Sequence, residues 1–271
     1  MATYVITGVS KGLGWEFLKQ TSNNPENTVV GIVRNKTATD ERVAKELSGR
    51  SNITILQADL TKFESIKRAA EDSVAFTGGK VDYLIANAGY VPTWDAFDGW
   101  DVMGESPAEL EKQLNMLIQT NVTGNIHLYN QFMPQILKGQ VKKVVVISSG
   151  MGDMDFAREY DIHESPLYAI SKAGVNMVSA KFSAQYKKDG VLFLSICPGM
   201  VDVGHYEGVN LAEHPGVVKM VEKFARYSPT FKGPDTPPDS IKAVLSVVEN
   251  SSIESGAGGA YLSHFGTKRW I

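Results

Sequence analysis

The chain has 271 residues, 43% hydrophobic and 21% charged, which is the balance of a globular protein with room for a sizeable core. Its 27 basic and 30 acidic residues give a formal charge of −3 without the basic block that binds phosphate backbones, so we expect no nucleic-acid partner. The lone Cys197, the absence of a secretory leader and the lack of any apolar run near the ~20 residues of a membrane span favour a cytoplasmic protein without membrane contact.

Short, largely apolar runs alternate along the chain with amphipathic stretches. The runs predict seven β-strands, at 3–7, 28–33, 52–57, 81–86, 142–148, 191–197 and 259–263. Strands that are apolar throughout suit a sheet covered on both faces, and the stretches between them show helical spacing of apolar residues. We therefore expect an α/β fold, with a doubly wound parallel sheet of about seven strands and helices on both faces.

The first strand is followed by the sequence TGVSKGLG at residues 7–14, which leads into a helical pattern. Gly8 permits a tight turn, while Gly12 and Gly14 let backbone amides approach a pyrophosphate at the positive end of the helix. A dinucleotide is the natural ligand of such a turn. The spacing Gly-x-x-x-Gly-x-Gly departs from the usual fingerprint Gly-x-Gly-x-x-Gly, so a chance glycine turn is the alternative.

Three irregular segments interrupt the alternation of strands and helices. Segments 90–106 and 150–166 each follow the carboxyl end of a strand, which is the edge where open α/β sheets bind ligands. The third, 204–238, combines glycines with a short helical pattern and is expected to be a mobile substrate lid. Surface decoration is the alternative for all three.

Tyr168 and Lys172 stand four residues apart, which places both on one face of a helix. A phenol with a pKa near ~10 is a poor acid or base at neutral pH, but a neighbouring ammonium favours the phenolate and lowers the pKa. The pair could therefore exchange a proton with a substrate. Alone, the same spacing is typical of an ordinary pair on a helix surface.

Further short motifs follow the glycine turn in a fixed order. They are ADL (58–60), NAG (87–89), ISS (147–149), YAISK (168–172) and PG (198–199). Together with TGVSKGLG they resemble the short-chain dehydrogenase/reductase family over essentially the whole chain. The resemblance implies one Rossmann-type dinucleotide-binding and catalytic domain over 1–271 with no metal site. It also implies direct hydride transfer between a nicotinamide and a carbonyl carbon.

The resemblance implies four catalytic residues. Ser149, identified by the glycine three residues beyond it, positions the substrate oxygen, and its neighbour Ser148 faces the sheet. Tyr168 delivers the proton, and Lys172 holds the cofactor ribose and lowers the tyrosine pKa. Asn121, within a long helix over 107–138, supports a water-linked proton path or, on its own evidence, kinks that helix. The 19 residues from Ser149 to Tyr168 exceed the family's usual spacing, which indicates an insertion within 150–166.

The resemblance also implies the cofactor-binding set. Its members are Gly8, Ser10, Lys11, Gly12, Leu13, Gly14, Arg34, Asp59, Leu60, Asn87, Ala88, Gly89, Tyr168, Lys172, Pro198, Gly199 and Val201. The second strand ends without the carboxylate typical of NAD-preferring members, and Lys11 and Arg34 together indicate NADP(H). Val203 replaces the family's threonine at the nicotinamide carboxamide, so either backbone amides hold that group or Asp202 or His205 substitutes.

Aromatic and Met residues in the three irregular segments suggest a bulky, largely apolar or aromatic carbonyl or alcohol substrate. They are Trp94, Phe97, Trp100, Met151, Met154, Phe156, His205, Tyr206, Met220, Phe224 and Tyr227. Ordinary core packing is the alternative for these residues. The helix over 107–138 and the Tyr168 helix resemble the pair through which family members form homodimers and homotetramers. A dinucleotide-sensing regulator and a non-redox cyclase or isomerase remain the rival functions.

Overall fold

Within residues 1–205 and 214–271, which the computed structural model describes, seven parallel strands form one sheet in the order β3-β2-β1-β4-β5-β6-β7. The strands are β1 Thr3–Thr7, β2 Thr28–Val33, β3 Ile53–Gln57, β4 Tyr83–Ala86, β5 Lys143–Ile147, β6 Leu192–Cys197 and β7 Tyr261–Ser263. Each corresponds to an expected strand, and the doubly wound α/β prediction is confirmed.

Helices connect the strands and cover the sheet. They are α1 Gly12–Thr21, α2 Lys36–Glu46, α3 Phe63–Thr77, α4 Trp100–Gly104, α5 Pro107–Leu117, α6 Gly124–Ile136, α7 Met154–Glu159, α8 Pro166–Tyr186, α9 Pro215–Tyr227 and α10 Pro237–Asn250. In the described part of the chain, none of them is both long and apolar enough to cross a bilayer.

The core has two layers, one on each face of the sheet. Because successive strand residues point to opposite faces, Val5 packs toward α3, α6 and α8, whereas Ile6 packs toward α1 and α10. Val144 and Val145 of β5 divide in the same way. Both faces of the strands are therefore buried, which explains why their sequences are apolar throughout.

The strand order reverses at β1, which lies between β2 and β4. Tyr4 pairs with Val29 of β2 on one side and with Tyr83 of β4 on the other. The connections that leave β1 and β4 run to opposite faces of the sheet, so a crevice opens beyond their carboxyl ends. This crevice is where the glycine turn lies.

The helix expected over 107–138 is interrupted. Helix α5 ends at Leu117, a π turn covers Ile118–Thr123, and α6 continues from Gly124. The π turn contains Asn121, whose side chain hydrogen-bonds the backbone of Tyr90, and Asn125 Nδ2 donates to the Asn121 carbonyl at 2.7 Å. The wider π turn lets the Asn121 side chain hydrogen-bond the backbone of Tyr90, outside the helix, while the helix continues into α6.

Candidate active site

A cleft of about 630 Å³ opens at the crevice between β1 and β4. Much of its lining consists of residues that the sequence motifs indicated as cofactor ligands. These are Gly8, Ser10, Lys11, Gly12, Leu13, Gly14, Arg34, Asp59, Leu60, Asn87, Ala88 and Gly89. The motifs that follow the first four strands thus meet around one space.

The glycine turn has the geometry of an anion-binding loop. Gly8 and Gly12 have φ of 76° and 55°, in the left-handed region that favours glycine, and a Cβ on Gly14 would lie 2.1 Å from the Gly8 carbonyl oxygen. Helix α1 begins at Gly12, and its N-cap residue Lys11 makes no side-chain capping bond. The first amides of α1 therefore have no side-chain acceptor and face the cleft side of the turn, which fits a pyrophosphate.

Two further motifs support this turn. Asn87 Nδ2 donates to the carbonyls of Thr7 and Gly8 at 3.0 and 3.3 Å, and Ala88 N donates to Thr7 Oγ1 at 3.0 Å. The ends of β1 and β4 are therefore joined through side chains as well as through the sheet. Burial raises the pKa of Asp59, but hydrogen bonds from Thr61 N and Oγ1 together with the nearby charges of Lys62 and Arg34 outweigh it and hold the pKa below the usual range.

Cations line the cleft beside the turn. Lys11 and Arg34 are both exposed and both border the same space. A third cation, Arg42, lies outside the cleft lining: it donates to the Ser10 carbonyl at 2.9 Å, and its guanidinium lies 4.0 Å from the Trp15 ring. Arg42 thus stabilises the glycine turn from outside the cleft. The Arg-x-x-x-Glu spacing in α2, which is typical of a surface ion pair, does not indicate this role.

Helix α8 presents Tyr168 and Lys172 on one face, with Lys172 Nζ 5.5 Å from the centre of the Tyr168 ring. The ammonium donates to the Ile147 carbonyl at 2.8 Å and is buried. Burial lowers the pKa of Lys172 to about 8, against an opposing effect of Cys197. The lysine is therefore a fixed cation whose proton is held less firmly than that of an exposed lysine.

Asn121 lies next to this pair. Its Oδ1 accepts from Tyr90 N at 2.7 Å, and its Nδ2 donates to Tyr90 O at 2.9 Å and to Ser171 Oγ at 3.1 Å. A Cβ on Gly89 would lie 3.2 Å from Asn121 Oδ1 and 3.9 Å from Lys172 Nζ. Gly89, which lies beyond the end of β4, is therefore close to both Asn121 Oδ1 and Lys172 Nζ.

Ser149 follows β5 and caps a 3-10 turn, Gly150–Gly152, with its Oγ accepting from Met151 N at 3.3 Å. A Cβ on Gly152 would lie 2.9 Å from Ala173 N, so the turn packs directly on α8. The Tyr261 hydroxyl donates to the Ser149 carbonyl and fixes this peptide. Ser148 is buried, and its amide pairs with Ile196 O of β6, so it faces the sheet.

The remaining predicted residues lie outside the cleft lining. Asn121, Ser149, Tyr168 and Lys172 lie around α8, while Pro198, Gly199 and Val201 belong to the segment after β6. In that segment Ser240 Oγ donates to Pro198 O at 2.7 Å, and Val201 forms a bridge with Asp235. The cleft lining therefore takes in the predicted cofactor residues of the first four strand ends and leaves out those of α8 and of the segment after β6.

Val203 and His205, from the segment after β6, also line the cleft. Val203 packs on the glycine turn, since a Cβ on Gly12 would lie 3.5 Å from its side chain. Asp202 Oδ1 accepts from Gly204 N within its own loop, whereas His205 faces the cleft. Burial, and then the nearby Lys11 ammonium, lower the pKa of His205. Of the two polar substitutes considered for the missing threonine, His205 is the one that borders the cleft.

The predicted cofactor-binding set left out other residues that line the cleft, two of which, Thr7 and Ala58, belong to the motifs TGVSKGLG and ADL. These are Thr7, Ile32, Val33, Asn35, Ala58, Thr61, Tyr90, Met116 and Thr120. Most adjoin a recognised motif and could have been found by extending it. Met116 and Thr120 come from the α5 region, which only tertiary packing brings to the cleft, and no signal in the sequence indicates them.

The aromatic residues of the irregular segments divide between a small pocket and the core. Trp100, Met151 and Phe156 line a second pocket of about 200 Å³ beside α8. Phe224, Met220 and Tyr227 pack with Phe156 in the hydrophobic cluster that contains Trp270. Trp94 and Tyr168 both pack against another cluster. Phe97 is buried, and Met154 is exposed. Tyr206 lies outside the described residues. Core packing thus accounts for several of these side chains.

Helix α9, the described helix of the predicted lid 204–238, is anchored to segment 150–166; residues 206–213 of that lid lie outside the described residues. Lys223 Nζ lies 2.7 Å from Glu164 Oε1, and the Glu164 side chain has no exposed surface. Arg226 pairs with the exposed Asp161 at 3.0 Å. Segment 150–166 therefore forms the support on which α9 packs.

Comparison with known families and proteins agrees with this geometry. The profile of the family described as short chain dehydrogenase matches residues 2–213. The chain is 51% identical to the short chain dehydrogenase virK of Hypocrea virens, with all of both chains covered. It is 47% identical to the short-chain dehydrogenase/reductase iacC of Pestalotiopsis fici, again over both whole chains.

Solved structures share the fold at low sequence identity. The NADPH-bound carbonyl reductase from chicken fatty liver is 22% identical, with a TM-score of 0.79 and 98% of each chain covered. The carbonyl reductase Sniffer of D. melanogaster is 20% identical, with a TM-score of 0.77 and the same coverage. These likenesses establish the arrangement of the sheet and helices.

Proposed function

Because the chain belongs to the short-chain dehydrogenase family, whose members are nicotinamide-dependent oxidoreductases, we propose that it uses NADP(H) to interconvert a carbonyl and a secondary alcohol. The substrate we propose is a bulky, largely apolar or aromatic small molecule. The observation that carries the cofactor choice is that Lys11 and Arg34 border one cleft. The pocket beside α8, lined by Trp100, Met151 and Phe156, supports the substrate class.

When bound, the nicotinamide would supply or accept the hydride. The protein residues bind the cofactor and the substrate, orient the reacting groups and move the proton. Ser149, held by Tyr261 and by its own 3-10 turn, orients the substrate oxygen. Tyr168 donates the proton to that oxygen in reduction and takes it back in oxidation. Lys172 stabilises the phenolate by its charge, and Asn121 fixes the β4 end beside the lysine.

The preference for NADP(H) follows from the charges at the end of β2. Val33 ends the strand, and Arg34 and Asn35 follow it along the cleft, so no carboxylate repels a 2′-phosphate at that position. Arg34 offers a planar fork of donors and Lys11 a compact charge, and both suit a dianionic group. Together they would discriminate against NAD(H).

The first experiment measures dissociation constants for NADPH and NADH with the wild type and the Lys11→Ala/Arg34→Ala double variant. We expect the double variant to lose NADPH affinity by roughly 1.5–3 kcal/mol per charged hydrogen bond at most, with NADH binding nearly unchanged. A wild type that binds NADH as tightly as NADPH would overturn the cofactor assignment.

The second experiment tests redox chemistry with a panel of apolar and aromatic carbonyl compounds. A single turnover should consume the absorbance of the reduced nicotinamide, and Tyr168→Phe should slow it by about 10²–10⁴-fold with cofactor affinity retained. A regulator would bind the cofactor without consuming it, and a cyclase or isomerase would convert substrate without net oxidation. Full activity in Tyr168→Phe would remove the tyrosine from the mechanism.

We also propose that the protein acts in the cytoplasm as a homodimer or homotetramer. The exposed apolar side chains of α8, among them Ile170 and Met177, support self-association. The net charge of −3 and the lone, buried Cys197 suit a reducing compartment and a small-molecule substrate.

A further inference from the structure

The first turn of α8, which carries Tyr168, is held by a residue far away in sequence. Pro166 has no amide hydrogen and the N-cap residue Ser165 makes no side-chain capping bond, so the amides of Leu167 and Tyr168 need another acceptor. Both donate to one carboxylate oxygen, Asp95 Oδ2, at 3.0 and 3.1 Å. The backbone amide of the tyrosine itself is therefore anchored to Asp95.

Two more hydrogen bonds join the same segments. Ser165 N donates to Asp95 O at 3.0 Å, and Ser165 Oγ donates to Ala96 O at 2.7 Å. Ser165 has a φ of 53°, a strained value for a residue other than glycine, and it directly precedes a proline. We call Asp95, Ala96 and these four hydrogen bonds the Asp95 clasp. The clasp holds a strained junction immediately ahead of Tyr168.

Asp95 is fully buried, and this strengthens its interaction with the helix. Burial raises the pKa of Asp95, and the amides of Tyr168, Leu167 and Asp95 itself oppose that effect. The titratable side chains of Glu164 and His163, next to Ser165 in the chain, both contact Lys223 of α9. The carboxylate thus faces backbone amides at the positive end of α8, where a negative charge is stabilising.

We propose that Asp95 is a positioning residue for the reaction, fixing the backbone at Tyr168 and, through it, the phenol relative to the Ser149 turn. This inference rests on the proposed function, since it takes Tyr168 as the proton donor. Asp95 does not border the cofactor cleft. Its loss should therefore impair proton transfer and leave cofactor binding intact.

The test compares Asp95→Ala with Asp95→Asn. Alanine removes the acceptor, so we expect kcat to fall by about 10- to 100-fold, as small misplacements of reacting groups do. The dissociation constant for NADPH, measured by fluorescence, should stay within about twofold because no cleft residue is changed. Asparagine keeps an acceptor oxygen but loses the negative charge, so its kcat at neutral pH should lie between those of Asp95→Ala and the wild type.

The pH profile separates positioning from a purely structural effect. Protonation of Asp95 at acid pH weakens its bonds to the two amides, so it contributes to the fall of kcat in the wild type. Asparagine does not titrate, and Asp95→Asn should therefore keep its kcat to lower pH than the wild type. If Asp95→Ala does not fold, this comparison alone decides, and an unchanged acid limb would overturn the proposal.

A matched control is Asp82→Ala, which removes a carboxylate that also accepts from backbone amides, those of Thr3, Gln140 and Val141, at the amino end of β4. It should lower the free energy of unfolding, as Asp95→Ala does, without lowering kcat. Wild-type kcat in Asp95→Ala, or equal loss of kcat in both variants, would overturn the role of Asp95. Full activity in Tyr168→Phe would instead remove Tyr168 from the mechanism on which this inference rests. An inactive Tyr168→Phe beside a fully active Asp95→Ala defeats this inference alone.

Discussion

The buried Lys172, to which we assign a catalytic role in the proposed function, carries a cost in stability. Its pKa of about 8 in the folded protein lies below the value of 10.5 for a free lysine, because burial disfavours the charged form. The unfolded chain therefore binds this proton more strongly. The folded state is penalised below pH 8 by roughly 3 kcal/mol, at about 1.4 kcal/mol per pH unit, and the penalty disappears as pH rises toward 10.5.

We accordingly expect Lys172→Met to be inactive but more stable than the wild type at pH 7. The lost hydrogen bond to Ile147 O offsets part of the gain, by about 1 kcal/mol. Since the wild type recovers stability at high pH, the advantage of the variant should shrink between pH 8 and pH 10. Urea unfolding of both proteins at pH 7 and pH 10 measures this, and a difference independent of pH would contradict the prediction.

We expect Arg42 to affect cofactor binding through the backbone of the glycine turn. It pairs with both Glu46 oxygens, lies over Trp15 and donates to Ser10 O, so it fixes the peptide that leads to Lys11. We expect Arg42→Gln to weaken NADPH and NADH alike, by about fivefold each for ~1 kcal/mol of lost hydrogen bonding. Isothermal titration with both cofactors measures the ratio.

The matched control for Arg42 is Arg158→Gln, since Arg158 also pairs with neighbouring carboxylates, Asp155 and Glu159, on a helix remote from the glycine turn. Cofactor binding should be unaffected by this control. A loss confined to NADPH in Arg42→Gln would instead make Arg42 a direct ligand of the 2′-phosphate.

At the scale of elements, α9 depends on one buried ion pair. Lys223→Met would leave the Glu164 carboxylate buried without its cation, so we expect a loss of about 3–5 kcal/mol and faster hydrogen exchange in α9. Arg226→Gln breaks the exposed pair with Asp161 and should cost at most about 1 kcal/mol. Equal stability of the two variants in urea unfolding would show that the Glu164 pair does not anchor the helix.

The strands and the glycine turn could be predicted because local sequence determines them: apolar runs form the sheet, and Gly8, Gly12 and Gly14 meet local backbone demands. A kink of the long helix at Asn121 is one of the two alternatives for that residue, but its form, a π turn with a bond to Tyr90, 31 residues away, could not be predicted from local sequence. The Asp95 clasp could not be predicted for the same reason, because its bond from Leu167 N to Asp95 Oδ2 joins residues more than 70 positions apart.

The same distinction between local sequence and distant contacts decides which site residues could be predicted. Residues of the glycine turn, NAG and ADL line the cleft as a group, since each ends a strand at the same edge of the sheet. Met116, Thr120 and Arg42 reach the site only through tertiary packing of helices. The aromatic residues could not be divided between pocket and core in advance, because composition does not tell which face of a loop is covered.

At the scale of the whole molecule, the exposed side chains of α8 bear on assembly. Ile170 and Met177 are seven residues apart on one helix face and are 42% and 60% exposed. We expect light scattering to give a multiple of the 29.6 kDa chain mass for the wild type, and Met177→Glu to reduce it toward the monomer. Val74→Glu, at an exposed position of α3, is the control and should not change the mass. A monomeric wild type at micromolar concentration would contradict the prediction.

The position of β1 in the middle of the sheet has a consequence for how the chain folds. Tyr4 pairs with Val29, which is 25 residues away in sequence, and with Tyr83, which is 79 residues away. Strands β1, β2 and β3 can therefore pair through short loops, whereas the pairing of β1 with β4 closes a long loop. Strands β4 to β7 form the other set. The two sets meet along the line where the glycine turn and the NAG motif face each other. Cofactor binding therefore becomes possible only with the slow, long-range step of folding, and a chain arrested before that step exposes the unpaired edges of β1 and β4, which favours aggregation.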